Sequence, residues 1–249
     1  MPGTHAPALA EVARAVRPVA LARDRVVPVV PALVEVVPEG GLVRGSVTAV
    51  EGAAATSLAL ALVAGVSSAG GWTAVVGCPD LGLAAAAEAG LALERLALVA
   101  EPAPGDWGGV VAALVGAVDV VVVGPTHRVR TADARRLAAR ARERGTVLVQ
   151  LRDPGGSRGV ARPGLEADLR LSVVEARWQG VGQGHGHVRS RRIAVEVGGR
   201  RRASRPRRVE LWCPDDRGQI RPASLETGHQ KGPRTTEQIS SFREVEGVA

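Results

Sequence analysis

From Ser46 onward the apolar positions fall into short blocks that alternate between a strand period and a helix period. Ser46–Glu51 (SVTAVE) reads as a strand and Gly52–Ala55 as a tight loop. The run after it, with Thr56 or Ser57 as its cap, reads as a helix to about Ala69. Gly70 and Gly71 break that helix. Trp72–Gly77 is a second strand, Leu81–Ala89 a helix ended by Gly90, Leu96–Ala100 a third strand and Asp106–Ala117 another helix. Val118–Val123 (VDVVVV) is almost continuously apolar, the pattern of a strand covered on both faces of a parallel sheet. Thr131 is placed to cap a helix that runs to Arg144. Its Ala134, Leu137, Ala138 and Ala141 form one stripe, and Gly145 stands at the C-terminal cap. Thr146–Leu151 (TVLVQL) is a fifth strand.

Beyond that point the rhythm changes. Asp153–Gly164 is a Gly/Pro/Arg loop. Leu169–Val173, Ile193–Val197 and Val209–Leu211 then show period-2 apolar positions with no helix between them, which predicts antiparallel sheet. Upstream, Ala8–Val16 is helix-like, and Pro18, Pro28, Pro31 and Pro38 punctuate a segment expected to be extended or to lie over the core as a lid. The expected class is a three-layer αβα domain whose mixed sheet has parallel strands followed by antiparallel ones. Residues 1–40 form an N-terminal helix and Pro-rich lead-in, 41–213 the core, and 214–249 a polar tail without period, expected to be disordered.

Composition narrows the function. Val110–Val123, the longest apolar stretch, contains Asp119 and is too short to cross a bilayer, so no membrane partner is expected. Glu11, Arg14 and Arg17 interrupt any export signal, and Cys78 and Cys213 stand far apart; a cytoplasmic protein without a disulfide frame or metal site is expected. Lys231 is the only lysine, a bias that GC-rich coding explains and that weakens the basic pI as a sign of nucleic acid. The distribution of charge is more informative. Residues 1–150 carry 13 basic and 13 acidic side chains and residues 151–249 carry 19 and 12, so the whole net charge of +7 lies in the second part.

The strand ending at Gly52, its small-residue loop and the hydroxyl pair Thr56 and Ser57 occupy the position of a phosphate-binding loop. A working loop needs backbone amides wrapped around the phosphates, a lysine on the outer oxygens and a hydroxyl on magnesium. Here Ala53, Ala54 and Ala55 alone separate Gly52 from Thr56, and Ala55 stands where the lysine belongs. The VDVVVV strand ends in Gly124 and Pro125 rather than in an acid, and Pro79 and Asp80 follow the second strand where a glutamate would polarise water. No catalytic residue and no cofactor are expected; nucleotide binding through Thr56, Ser57 and backbone amides stays open.

These same segments resemble the RecA recombinases. GGLVRGSVTAVEG…TSLALAL is similar to that family's first strand and phosphate loop, AGGWTAVVGCPD…EAGLALERLALVAEP to its second and third strands, and VDVVVVGP to its magnesium-ordering strand with Gly124 for the acid. GTVLVQLR resembles the strand leading to the first DNA loop, where Gln150 or its neighbour would sense nucleotide, and ADLRLSVVEARW…RRVELW resembles the closing antiparallel strands. The resemblance covers about residues 40–213 and implies a P-loop NTPase-like fold. Loss of the catalytic groups, together with the arginine content, is similar to the ImuA-type accessory proteins of actinobacteria. That resemblance implies a non-catalytic role in the SOS response and translesion synthesis. The implied partners are an inactive Y-family polymerase homologue and the alpha subunit of an error-prone replicative-type polymerase, with nucleoid association wherever DNA is bound.

A second candidate site is the arginine cluster. Arg189, Arg191, Arg192, Arg200, Arg201, Arg202, Arg205, Arg207 and Arg208 lie close together with Glu196 as the only acid among them. Lined along a hairpin and its tip they would form a positive patch for phosphates or for an acidic protein surface. Trp178 and Trp212 are too few for a base-stacking platform. His185 and His187 sit in a glycine-rich loop without further ligands, His127 lacks a nucleophile beside it, and Trp72 and Trp107 are expected in the core. Two other functions compete with the accessory role: a nucleotide-dependent, single-stranded-DNA-binding recombinase relative, and an inhibitor-like protein that binds a replication or division protein.

Overall fold

The computed structural model describes residues 25–103, 105–125, 130–152, 165–182 and 185–223. The expected helix at Ala8–Val16, His127, the Asp153–Gly164 loop and the tail from residue 224 lie outside them. The chain opens with β1 (Val26–Pro28), a single helical turn α1 (Pro31–Val34) and β2 (Gly41–Val43). The alternating core follows: β3 (Val47–Gly52), α2 (Ala55–Ser68), β4 (Thr73–Val76), α3 (Leu83–Glu88), β5 (Leu96–Val99), α4 (Trp107–Leu114), β6 (Val120–Val123), α5 (Thr131–Arg144) and β7 (Val147–Arg152). It closes with β8 (Leu169–Gly182), β9 (His185–Gly199), β10 (Arg207–Trp212) and β11 (Arg221–Pro222).

Among the described residues nine strands share one sheet in the order β11-β10-β9-β8-β3-β7-β6-β4-β5, and β1 and β2 pair separately. The α/β class with parallel strands followed by antiparallel ones is therefore present. One boundary falls differently from the expectation. Leu169–Val173 runs parallel to β3, with Thr48 opposite Leu169 and Gly52 opposite Val173, and turns antiparallel only toward β9. Period-2 patterning reports which face a residue takes and says nothing of strand direction, so the sequence could not place that switch.

The two faces of the sheet are covered unequally. One carries α2 and the β1–α1–β2 segment over a core that spans the whole sheet, from Val75 and Val122 across Val50 to Ile193, Val195 and Leu211. The other is covered by α4 and α5 only over the parallel strands, where Trp107, Val111, Leu137 and Ala141 pack on Val121, Val123 and Leu148. All four valines of β6 are buried, as its unbroken apolar run requires. Past β8 no described helix covers that second face, which becomes polar, an arrangement that antiparallel sheets tolerate.

Several boundaries move for physical reasons. α2 is apolar on almost every side because it is sandwiched; a Cβ on Gly65 would come within 2.5 Å of the Val29 carbonyl carbon, so residues 26–43 lie directly on the helix and belong to the core. The core also extends past 213. β11 pairs with β10, Asp215 is buried and bonds the Arg217 and Gln219 amides, and Ile220 packs against the core. That stretch is held by backbone pairing, which leaves no apolar period to read. Trp107 is buried as expected, but Trp72 is 44% exposed: it precedes β4, and its amide donates to Asp119 Oδ2 at 3.1 Å. α5 presents the expected stripe, and Gly145 closes it at φ +73°. Its cap position is Arg130 rather than Thr131, which is already helical and makes no capping bond.

Candidate functional site: the strand-end loops and the arginine hairpin

The parallel strands bring Gly52, Gly77, Gly124 and Arg152 to one edge of the sheet, their C-terminal ends, where open α/β sheets bind ligands. Only Ala53 and Ala54 connect β3 to α2. Gly52 has φ +105°, and a Cβ there would lie 2.3 Å from the Val173 carbonyl oxygen, so β8 passes against it with no gap. Two residues cannot wrap a triphosphate. Thr56 and Ser57 do not cap α2: the cap position is Ala54, without a side-chain bond. Thr56 is exposed, while the Ser57 hydroxyl accepts a hydrogen bond from Arg191 Nη2 at 2.8 Å.

At the end of β6, Gly124 is buried and packed backbone to backbone. A Cβ on it would fall 1.9 Å from the Gly77 carbonyl oxygen and 2.8 Å from Cys78 Sγ. The position that would carry a magnesium-ordering acid therefore has no space for any side chain. Burial pushes the Cys78 thiol up to about 11, which keeps it protonated and poorly nucleophilic at neutral pH.

Sequence reasoning missed a polar cluster at the same edge. Glu51 accepts a hydrogen bond from the Ser172 hydroxyl at 2.5 Å and faces Arg170 at 3.9 Å. Arg152 donates from Nη2 to Gln150 Oε1 at 3.4 Å and to the Leu165 carbonyl at 3.0 Å. Burial lowers the pKa of Arg152 first and the neighbouring Arg170 lowers it further, while Glu51 opposes both. A charged residue at the end of one predicted strand, Glu51, and another just past the end of a second, Arg152, were the available signal. Their adjacency needed the β3–β7 and β3–β8 pairings.

The arginine cluster is dispersed rather than gathered into one patch. Alternation along β9 sends Arg191 to the helix-covered face and Arg192 to the open one. Arg191 is 7% exposed, donates through Nε to the Cys213 carbonyl at 2.8 Å and through Nη2 to Ser57, and lies 4.7 Å from the centroid of the Trp178 ring. It is a structural cation. Arg207 donates to the Glu35 and Val36 carbonyls at 2.6 and 2.7 Å and ties β10 to the α1 segment. Arg192 pairs with Glu210, Arg200 with Glu166, and Arg208 with Glu175 at 2.8 Å. Arg189 and Arg205 are exposed and pair with no described acid, while the side chains of Arg201 and Arg202 fall outside the described residues. The local window showed one acid because the neutralising carboxylates arrive from outside it, Glu175 from β8, Glu210 from β10 and Glu166 from the segment before β8. On the open face these residues form an alternating Arg/Glu carpet: Arg177, Glu175 and Arg208 in one chain, Arg192 and Glu210 in another.

The hairpin of β8 and β9 presents Trp178, 53% exposed, and Val188, 56% exposed, beside His187 and Arg189. The side chain of His185 lies outside the described residues. Among the described residues no group of three or more His, Cys, Asp or Glu could hold a metal, and no helix is long and apolar enough to cross a membrane.

Residues 35–155 match the family model described as the MT3502 N-terminal domain. An uncharacterized protein of Mycobacterium tuberculosis, Rv3395c, is 44% identical over 118 residues, which make up 46% of this chain and 56% of the relative. The chain thus spans about half the length of the curated relative it matches. The family match takes in β3 to β7 and the β3–α2 and β6 strand ends, and it stops before β8 and the arginine hairpin.

Proposed function

We propose that the chain is a non-catalytic, RecA-like accessory protein that acts in damage-induced translesion synthesis through contacts with polymerase partners and with DNA. The reading rests on the resemblance in strand order and spacing, and one observation carries its non-catalytic part. The β3–α2 link is two residues long, and the β6 end is closed backbone to backbone at Gly124, so neither half of a magnesium–triphosphate site has room. What the surface offers instead is a hairpin with an exposed indole, an exposed valine and Arg189, which pairs with no described acid. An aromatic and an arginine beside apolar area are the groups that anchor protein interfaces. The exposed Arg/Glu pairs are individually weak, so a phosphate backbone can take over their arginines.

The test uses the full chain with MgATP, with single-stranded DNA at rising salt, and with an inactive Y-family polymerase homologue and an error-prone polymerase alpha subunit as baits. The expected results are phosphate release at the blank level, retention of a polymerase bait that Trp178→Ala weakens, and DNA retention that falls with salt and with Arg189→Ala/Arg205→Ala. Phosphate release that drops in Thr56→Ala would overturn the non-catalytic reading. Indifference to both polymerase baits would overturn the accessory role.

A further inference from the structure

Much of the excess positive charge in residues 151–249 is met by glutamates: Arg192 by Glu210, Arg200 by Glu166 and Arg208 by Glu175. Residues 1–150 balance in number, with 13 basic and 13 acidic side chains, but the fold does not bring the two signs together everywhere. On α5 the arginines stay alone. Its stripe of Ala134, Leu137, Ala138 and Ala141 is buried on the sheet, and its solvent face carries Arg135, Arg136, Arg140, Arg142 and Arg144. Among the described residues none of these five forms an ion pair, neither with Asp133 and Glu143 on the same helix nor with an acid from another element.

Helical geometry sorts the five into two rows. Arg135 and Arg142 form one; Arg136, Arg140 and Arg144, at four-residue steps of about 6 Å, form the other. Exposed Ala132 and Ala139 lie between the rows, and Glu143 ends the strip. Two arginines of the second row are held in place. Arg140 Nε donates to the Val115 carbonyl at 3.5 Å, and the Arg144 stem lies against Gly116, where an added Cβ would come within 3.0 Å of Arg144 Cγ. Side chains held in this way lose less freedom when a ligand engages them. The helix itself does not call for these rows. A cation gains from the helix dipole in the last turn, where Arg142 and Arg144 stand, and Arg135, Arg136 and Arg140 lie outside it. Coding bias selects arginine over lysine but does not remove acidic partners.

The rest of the face selects the partner. None of the exposed large apolar side chains belongs to α5, so it offers no anchor for a protein interface and nothing to insert into a lipid surface. It has no aromatic ring to stack on a base and no Asn or Gln to read a base edge. Guanidinium groups remain, and their forked donors match phosphate oxygens. Without stacking groups, the higher charge density of the double helix favours duplex over single strand.

We propose that the outer face of α5 binds duplex DNA through its phosphate backbone, without reading sequence. The proposal rests on the DNA contact of the proposed function and carries its main surface from the hairpin to this helix. From Arg135 to Arg144 the helix rises about 14 Å, the axial length of about four phosphates of one strand.

The experiment measures, by fluorescence anisotropy, binding of the full chain to a labelled duplex of about 20 base pairs between about 50 and about 200 mM salt. Arg136→Gln/Arg140→Gln/Arg144→Gln should weaken binding about tenfold or more. It should also make the slope of log affinity against log salt shallower by about 2 to 3, at about 0.9 for each lost contact. Arg189→Gln/Arg205→Gln should change that slope by about 1 or less. A duplex of scrambled sequence should bind equally, and oligo(dT) of the same length more weakly. Circular dichroism checks that the variants fold; if the first does not, Arg135→Gln/Arg136→Gln/Arg142→Gln carries the same test. Duplex binding that the α5 variants leave unchanged and the hairpin variant abolishes would overturn this placement while the DNA contact of the proposed function stands. So would oligo(dT) bound as tightly as duplex. Failure to bind either DNA would overturn both readings. Tighter binding of polyglutamate or of phosphatidylglycerol vesicles than of duplex, lost in the same variants, would overturn the choice of partner.

Discussion

Arg191 is the residue where the sequence and the structure assign different work, and truncating it separates the two. Arg191→Ala removes two hydrogen bonds of 2.8 Å, to the Cys213 carbonyl and to the Ser57 hydroxyl, and the contact of the guanidinium with Trp178. The backbone pairing of Arg191 with Cys213 and Pro214 survives the substitution. The Cys213 carbonyl is left buried without its donor, a loss of about 1–3 kcal/mol. Ser57 loses less, since its hydroxyl can turn back onto the helix backbone. The ring contact adds about 0.5–2 kcal/mol. Because these terms act on one side chain and do not add fully, the expected destabilisation is about 3 kcal/mol. For a chain of this size that lowers the thermal midpoint by about 6–12 °C. Arg189→Ala, an exposed neighbour on the same strand, should stay within about 0.5 kcal/mol of the wild type. Urea melts of both variants, alongside salt-dependent DNA retention, check the reasoning. An Arg191→Ala chain as stable as Arg189→Ala, with the DNA loss concentrated in Arg191→Ala, would refute the structural assignment.

Two other variants probe the packed strand ends. Gly124→Ala should already destabilise the chain by about 2 kcal/mol or more, because the clash with the Gly77 carbonyl arises at Cβ, and Gly124→Asp should do no better; a Gly124→Ala chain with a wild-type midpoint would refute the close packing. Burial raises the Cys213 thiol to about 11, with Arg191 opposing. The fold therefore retains a proton that the unfolded chain releases near 9.0. Its contribution of at most about 3 kcal/mol is complete below that value and is lost as pH rises through about 11. Urea midpoints between about pH 8 and about pH 11 should fall more steeply in the wild type than in Cys213→Ala, and coincident profiles would refute the burial effect.

The parallel half of the fold was legible because its period and its buried environment agree. β6 reads as a two-faced strand from four consecutive valines, and α5 from Ala134, Leu137, Ala138 and Ala141 with Gly145 beyond them. The absence of a lysine before Thr56 and of an acid after Val123 was equally plain in the sequence. The structure adds the reason substitution at one of these sites cannot restore what is missing: Gly124 is held against Gly77, and Gly52 against Val173.

The partners of the arginine cluster were not legible for a reason that is general to sheets. Spacing along one strand fixes the face each side chain takes, but its partners come from other segments of the chain, and Glu175, Glu210 and Glu166 all fall outside the window from 189 to 208. The tail boundary failed in the same way, since β11 is held by hydrogen bonds to β10 and needs no apolar pattern of its own.

By itself, then, the order of residues determined the kind and sequence of the alternating elements from β3 to β7, because hydrophobic periodicity is a local record of burial. Tertiary structure alone decided the direction of β8 and the partners of the described arginines, because each depends on which distant backbone comes alongside. Pairing across 121 residues, as between Glu51 and Ser172, is set by the closing of the whole sheet.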